Sequence, residues 1–339
     1  MASSSTSTIT KIQKGWTKPS PHGGNSTGGH SRLPSCWPRS ERANCLFLVD
    51  SSPPKRPEWR WMVDTEGRPG LRTDFVLNDQ VRDYPTRSVE CTMDPRDLDE
   101  LVRTGFLVRR GILNPQVATW LAGIVLKLAR SEQKCPEAEY LPGQSIYIRA
   151  LLDKDAAFHR LLRLEPALSI ARSLLGPQVW VDLEARLNYQ GQSGVAVPWH
   201  SHLPVIPDPL PPFFSYPHQI HCLIYLDEVT ELEGPLCLIP GSHMEPELRI
   251  PLGDQNDQPG QVKLYFEPGD AVFIHANLWH RTIPSSPGAG FRRLLLLGYV
   301  PSWVKADVSR GALAERPLTA DLMRTADAET RELLGEFTW

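Results

Sequence analysis

RRLLLLGYVP, residues 292–301, is an apolar run of strand length that opens on two arginines. It closes a series of similar runs. Reading back toward the N-terminus these are DAVFIHANLWH (270–280), QVKLYFE (261–267), GPLCLIP (234–240), PHQIHCLIYLDEV (217–229) and QVWVDLEARLNYQ (178–190). Each is short and rich in β-branched, aromatic or leucine side chains, the composition of a strand. Gly, Pro, Asp and Ser cluster between them, at 191–194, 208–212, 254–260 and 284–290. No helical pattern separates these runs, so crossover βαβ units are excluded and an antiparallel sheet is predicted. The series predicts an α+β, mainly β chain whose sheet is closed or sandwiched, as in a barrel or jelly roll.

Helices precede the strands. DLDELVRTGFLVRRGIL (97–113) passes from a charged helical pattern to a short apolar run. Asn114-Pro115 then reads as an N-cap followed by proline in the first helical position. The helix PQVATWLAGIVLKLARSEQ (115–133) should turn Val117, Leu121, Ile124 and Leu128 toward the core. A second helical region spans about 155–175, broken by Pro166 and closed by Gly176-Pro177. Beyond Pro301 one more amphipathic helix, at about 317–336, is expected to pack outside the sheet.

With 339 residues, a formal net charge of -3 and 41% hydrophobic residues, the composition is that of a globular protein. The near-neutral charge argues against a dedicated nucleic-acid binder, and no run approaches the length of a membrane span. The six cysteines form no CxxC pair, so neither a disulfide framework nor a zinc-finger site is expected. Residues 1–40 hold five basic side chains and no acidic one, among Ser, Thr, Gly and Pro. Such a segment buries too little apolar surface to order itself, so about 1–55 is expected to be a disordered low-complexity tail. One domain is expected over 70–339. A cytoplasmic location is the simplest expectation, with an organelle-targeting role of the basic, Ser-rich tail as the alternative. Nothing in the sequence specifies an oligomeric state.

Ten histidines are present. His200 and His202, in WHSH (199–202), are two residues apart. In an extended chain they point to one side and can reach a common ion. A third nitrogen could come from another strand, and His280, which ends DAVFIHANLWH, is the best candidate. Three nitrogen ligands with open positions suit iron, zinc, copper or nickel at a catalytic site. If 270–280 is a single strand, His275 faces away from His280 and is a packing residue. His218 and His221 differ in parity, so at most one faces a cavity, and each reads as a satisfied polar residue. Trp199 and Trp279 each precede a candidate ligand and point away from it, into the core. Alternation also turns Arg292 and Arg293 to opposite faces. A guanidinium on the cavity side could hold a carboxylate through its two-pronged fork. VIPDPLPPFFSYPH (205–218) reads either as an apolar lid over the site or as a rigid surface loop.

Five segments together resemble the phytanoyl-CoA dioxygenase family of non-haem iron, 2-oxoglutarate-dependent oxygenases. They are TGFLVRRGILNPQVATWL (104–121), LLRLEPALSIARSLLG (161–176), VPWHSH (197–202), LDEVTELEGPLCLIPGSH (226–243) and PGDAVFIHANLWHRTIPSSPGAGFRR (268–293). The resemblance implies a double-stranded β-helix, a cupin-like jelly roll, with flanking N-terminal helices and a C-terminal helix. It implies Fe(II) held by a His-x-Asp pair and a distal His, of which His200 and His280 are two. It implies that Arg292, with Arg293 in reserve, binds the distal carboxylate of 2-oxoglutarate, assisted by the Thr282 hydroxyl. The implied activity is oxidation of an unactivated C–H of a small organic metabolite, with dioxygen consumed and 2-oxoglutarate split to succinate and CO2.

The family's acidic ligand position is occupied here by His202. Three neutral imidazoles would leave the metal a unit more positive than two imidazoles and a carboxylate. His202 could ligate, could swing aside, or could mark a non-catalytic binding protein on the same scaffold. A cupin-type metalloenzyme working without 2-oxoglutarate is a further alternative, weakened because no glutamate follows the HxH pair within a few residues.

Overall fold

The computed structural model describes residues 93–191, 196–202, 218–245, 247–304 and 317–336, together with 74–75, 87–88 and 91. The expected tail at 1–55 and the Pro- and Phe-rich stretch up to 217 lie outside the described residues. The chain starts with β1 (Asp74–Phe75), β2 (Arg87–Ser88) and α1 (Pro95–Thr104), and continues through β3 (Phe106–Arg109) and α2 (Pro115–Glu132). Both helices start on the signal their sequence carries. The Asp94 carboxylate accepts from the Arg96 amide at 2.9 Å and the Asn114 amide oxygen accepts from the Gln116 amide at 2.8 Å, each followed by proline.

Next come β4 (Glu139–Leu141), β5 (Ser145–Ile148), a 3-10 stretch at Ala156–Arg163 and α3 (Ala167–Leu175). Pro166 divides that helical region as expected. The strands follow: β6 (Val179–Asn188), β7 (Val197–His200), β8 (Ile220–Tyr225), β9 (Leu236–Leu238), β10 (Val262–Leu264), β11 (Ala271–His275), β12 (His280–Thr282) and β13 (Arg292–Pro301). The expected C-terminal helix is two helices, α4 (Pro317–Thr325) and α5 (Ala328–Leu333), because Asp327 caps the second by accepting from the Thr330 amide at 2.8 Å.

Besides the two-stranded β1-β2 pair, two antiparallel sheets result among the described residues. The larger has the order β3-β11-β8-β13-β6-β5-β4, and the smaller β10-β9-β12-β7. The longest pairing joins β13 to β6, from Arg292 opposite Asn188 to Pro301 opposite Val179. Alternation along these strands sorts the core into two layers. Ile220, Cys222 and Ile224 of β8 and Leu295, Leu297 and Tyr299 of β13 face α2, α3 and α5. Leu223, Tyr225 and Leu294 face the smaller sheet, where Leu236 and Leu238 meet them. The fold is therefore mixed α/β, with N- and C-terminal helices flanking a multi-strand sheet core.

Two sequence expectations are corrected. On α2 the buried face runs through Ala118, Leu121, Ala122, Val125 and Ala129, while Val117 is 39% exposed. Of the expected stripe, Leu121 is buried and Ile124 and Leu128 pack partly buried against the core, so only Val117 falls off the contact, and small alanines fill the rest of the buried face. DAVFIHANLWH is not one strand. Its chain turns at 276–279, with the Leu278 amide bonded to the His275 carbonyl at 2.9 Å, and crosses from the larger to the smaller sheet. Parity between His275 and His280 therefore does not apply.

Candidate metal centre

β7 and β12 are adjacent antiparallel strands of the smaller sheet, and His280 lies directly opposite His200. That register places the two rings with centroids 4.2 Å apart. His202, just past the end of β7, completes the group, 5.2 Å from the His200 ring and 4.8 Å from the His280 ring. One nitrogen from each of the three can lie within 4.8 Å of the others. The three residues that sequence reading proposed are thus brought together.

The rings are held from outside. His200 Nδ1 bonds to the Pro198 carbonyl at 2.9 Å and His280 Nδ1 to the Leu278 carbonyl at 2.8 Å. A carbonyl only accepts, so Nδ1 carries the hydrogen and Nε2 is left with its lone pair free. Carbonyl-anchored imidazoles are how proteins fix the tautomer of a metal-binding histidine. On the outer face of these strands, Trp199 Nε1 donates to the Asn256 carbonyl at 2.8 Å and the Trp279 amide donates to Ser242 Oγ at 3.0 Å. Trp199 points away from the histidines, as alternation predicts, and Trp279, in the turn before β12, packs against the same cluster of Trp199, Cys237 and Ile250.

Protonation favours metal binding. His280 is 5% exposed, and burial, followed by the neighbouring imidazoles, pushes its pKa well below the ordinary histidine value. The same causes act on His202, and burial also lowers His200. All three rings are therefore neutral near pH 7, the form that binds a metal. His202 Nδ1 is buried with no hydrogen-bond partner, an orphan that a metal bond would satisfy. Neutral nitrogen donors, one of them unsatisfied, fit a transition-metal dication rather than magnesium or calcium.

Arg292 and Arg293 do face opposite ways. Arg292 is 3% exposed, and burial lowers its pKa to about 10. Its Nη1 donates to the carbonyls of Glu233 at 2.7 Å, Ile283 at 3.4 Å and Gly234. With its amide oxygen turned inward, Asn188 accepts from Nε at 3.1 Å and from Nη2. Gly234 permits this approach. At φ +81° its backbone is left-handed, and a Cβ would strike the Ile283 carbonyl and come within 2.8 Å of Arg292 Nη1. Arg293 lies on the helix side of the sheet, where Nε donates to Asp227 at 2.8 Å and Nη1 to the Ala122 carbonyl at 3.2 Å. Thr282 is half-buried on β12, opposite Val197, where the register slips between positions 280 and 282.

Two residues on the face of the larger sheet that looks toward the smaller one carry no site signal in the sequence. His221, read there as a satisfied polar residue, has both ring nitrogens buried without a partner, and its centroid lies 4.2 Å from His202. Burial pushes its pKa down to about 3. Arg186, on β6, is half-buried opposite Leu294. Parity along 178–190 would have put it on the Leu294 side, but its lack of an ionic partner is visible only in three dimensions. His275 packs 5.0 Å from His243 and accepts from the Asn277 amide at 3.0 Å, so it is a packing residue.

The model of the phytanoyl-CoA dioxygenase family matches residues 101–293, and the chain belongs to this family. L-proline trans-4-hydroxylase from Streptomyces griseoviridis is 34% identical over 122 residues, 33% of this chain. The chain spans 42% of the length of that relative. Among solved structures, HygX from Streptomyces hygroscopicus with nickel and 2-oxoglutarate bound aligns at TM-score 0.48 and 18% identity, over 63% of this chain and 89% of HygX. The 2-oxoglutarate-dependent epimerase SnoN from nogalamycin biosynthesis aligns at 0.47 and 19%, over 64% of this chain and 92% of SnoN.

Proposed function

We propose that this chain is an Fe(II)- and 2-oxoglutarate-dependent oxygenase acting on a small organic metabolite. The observation that carries the proposal is the convergence of three neutral imidazoles, His200, His202 and His280, on one point between two sheets. Two antiparallel sheets packed over a common core support its reading as a double-stranded β-helix, and family membership supports the oxidative chemistry.

In this reading the three histidines hold the metal, and only three protein ligands leave positions for co-substrate and dioxygen. Arg292 and Thr282 face the co-substrate, whereas Arg293 is engaged by Asp227 on the other side of the sheet. Bound metal and 2-oxoglutarate supply the oxidation, in which 2-oxoglutarate and dioxygen give succinate and CO2 while a substrate C–H becomes C–OH. The protein's own part is positional. The Pro198 and Leu278 carbonyls fix the two ring tautomers, and the buried sheet faces around them exclude bulk water.

The test is succinate formation by the full-length chain with Fe(II), ascorbate and 2-oxoglutarate in air, with L-proline as the first candidate substrate. Succinate is expected even without a substrate, from slow uncoupled turnover, and only when Fe(II) is present. A metal-loaded protein that forms none, with or without L-proline, would favour the non-catalytic binding protein.

A further inference from the structure

Along β6, Glu184, Arg186 and Asn188 share the face that looks toward the smaller sheet, since their partners on β13 are Leu296, Leu294 and Arg292. Arg186 and Asn188 are neighbours on that face, about 7 Å apart along the strand. Asn188 is hydrogen-bonded to Arg292, so Arg186 and Arg292 flank it in one compartment. Arg186 also acts electrostatically on Arg292, lowering its pKa as a like charge does.

The other arginines of the interior are engaged. Arg172 pairs with Glu329 at 2.7 Å, Arg281 with Asp257, and Arg293 with Asp227. Arg292 meets three carbonyls and Asn188. The carboxylate nearest Arg186 along the strand, that of Glu184, is taken by Arg149 Nη1 at 2.9 Å and by the Tyr147 hydroxyl. Among the described residues, no carboxylate or carbonyl pairs with Arg186. A half-buried guanidinium without a counter-charge is unfavourable unless an anion arrives to meet it.

We propose that Arg186 is a binding residue for the distal carboxylate of 2-oxoglutarate, making with Arg292 a two-arginine seat for the co-substrate. The proposal rests on the oxygenase reading. It follows from how the donors are distributed: most of the Arg292 N–H groups already point at protein acceptors, whereas Arg186, on the same face of the sheet, meets no carboxylate or carbonyl among the described residues. Arg292 then ties the Glu233–Gly234 turn to β6 while adding its charge to the seat, and Arg186 supplies charge-assisted hydrogen bonds to the carboxylate.

The test compares two keto acids on the full-length chain loaded with Ni(II), which binds nitrogen ligands without activating oxygen. Calorimetry gives the affinity for 2-oxoglutarate and for 2-oxopentanoate, which has the same keto-acid head and no distal carboxylate. For Arg186→Gln, 2-oxoglutarate should weaken at least about tenfold while 2-oxopentanoate stays within about twofold. Arg186→Lys should fall between wild type and Arg186→Gln for 2-oxoglutarate, and it decides the matter if the glutamine variant does not fold. Unchanged Ni(II) affinity in either variant reports an intact centre. Arg186→Gln binding 2-oxoglutarate as tightly as wild type would overturn the proposal, and so would an equal loss for both keto acids. A wild-type chain that binds Ni(II) but not 2-oxoglutarate would instead overturn the oxygenase reading itself.

Discussion

His280→Ala should abolish stable metal binding, lowering Fe(II) affinity by at least about 100-fold. Loss of a residue that merely supports a metal ligand costs about 10- to 100-fold, and loss of a ligand should cost no less. His280 is the residue for which this expectation is strongest. It is buried, its Nδ1 is tied to the Leu278 carbonyl, and its strand position lies directly opposite His200. A shift of one residue along β12 would turn it to the outer face, so the register of the smaller sheet and the ion site are a single structural fact. The measurement is metal content and anaerobic Fe(II) titration of the purified full-length chain, beside a thermal melt to establish folding. A folded His280→Ala protein that retains Fe(II) at wild-type affinity would show that the ion, if bound, sits elsewhere.

Replacing His202 gives the second large effect, and the two replacements should part company. His202→Ala should weaken Fe(II) by about 10- to 100-fold, because an inward-facing nitrogen donor is removed. His202→Asp should keep the metal. It supplies one negative donor in place of a neutral one, and the electron-richer iron should move the charge-transfer band of the 2-oxoglutarate complex to longer wavelength. The unsatisfied Nδ1 of His202 and its ring 4.8 Å from His280 lead to this expectation. An alanine variant that binds Fe(II) as wild type does would make His202 a bystander. The centre would then rest on two histidines.

Much of this was legible in the sequence, for physical reasons that differ between elements. The run at 292–301 is recovered without error as Arg292–Pro301, because a central strand is largely apolar on both faces, a Pro- and Gly-rich loop precedes it and Pro301 closes it. Asn114-Pro115 fixed the start of α2 by local capping chemistry alone. The HxH pair was readable because two-residue spacing needs no tertiary information. The strands β3, β4, β5, β7 and β12 carry no separate strand signal in the sequence. Each has three or four residues, and pairing with distant partners supplies most of what holds them extended. The turn at 276–279 leaves no local signal because HANLWH alternates like a strand, and the sheet that receives His280 is chosen by pairing with His200 and Leu238. His221 and Arg186 mark the deeper limit. Their parity could be read, but an unsatisfied imidazole or an unpaired guanidinium is defined by neighbours far away in sequence.

The central claim is that imidazoles 200, 202 and 280 hold one Fe(II) with room left for 2-oxoglutarate. The most direct measurement is an anaerobic titration of the full-length chain, adding Fe(II) and then 2-oxoglutarate while recording the visible spectrum. The expected result is a weak metal-to-ligand charge-transfer band that saturates at one Fe(II) and one 2-oxoglutarate per chain and is absent in His280→Ala. A chain that takes up Fe(II) but develops no such band at saturating 2-oxoglutarate, or that develops it equally in His280→Ala, would contradict the account.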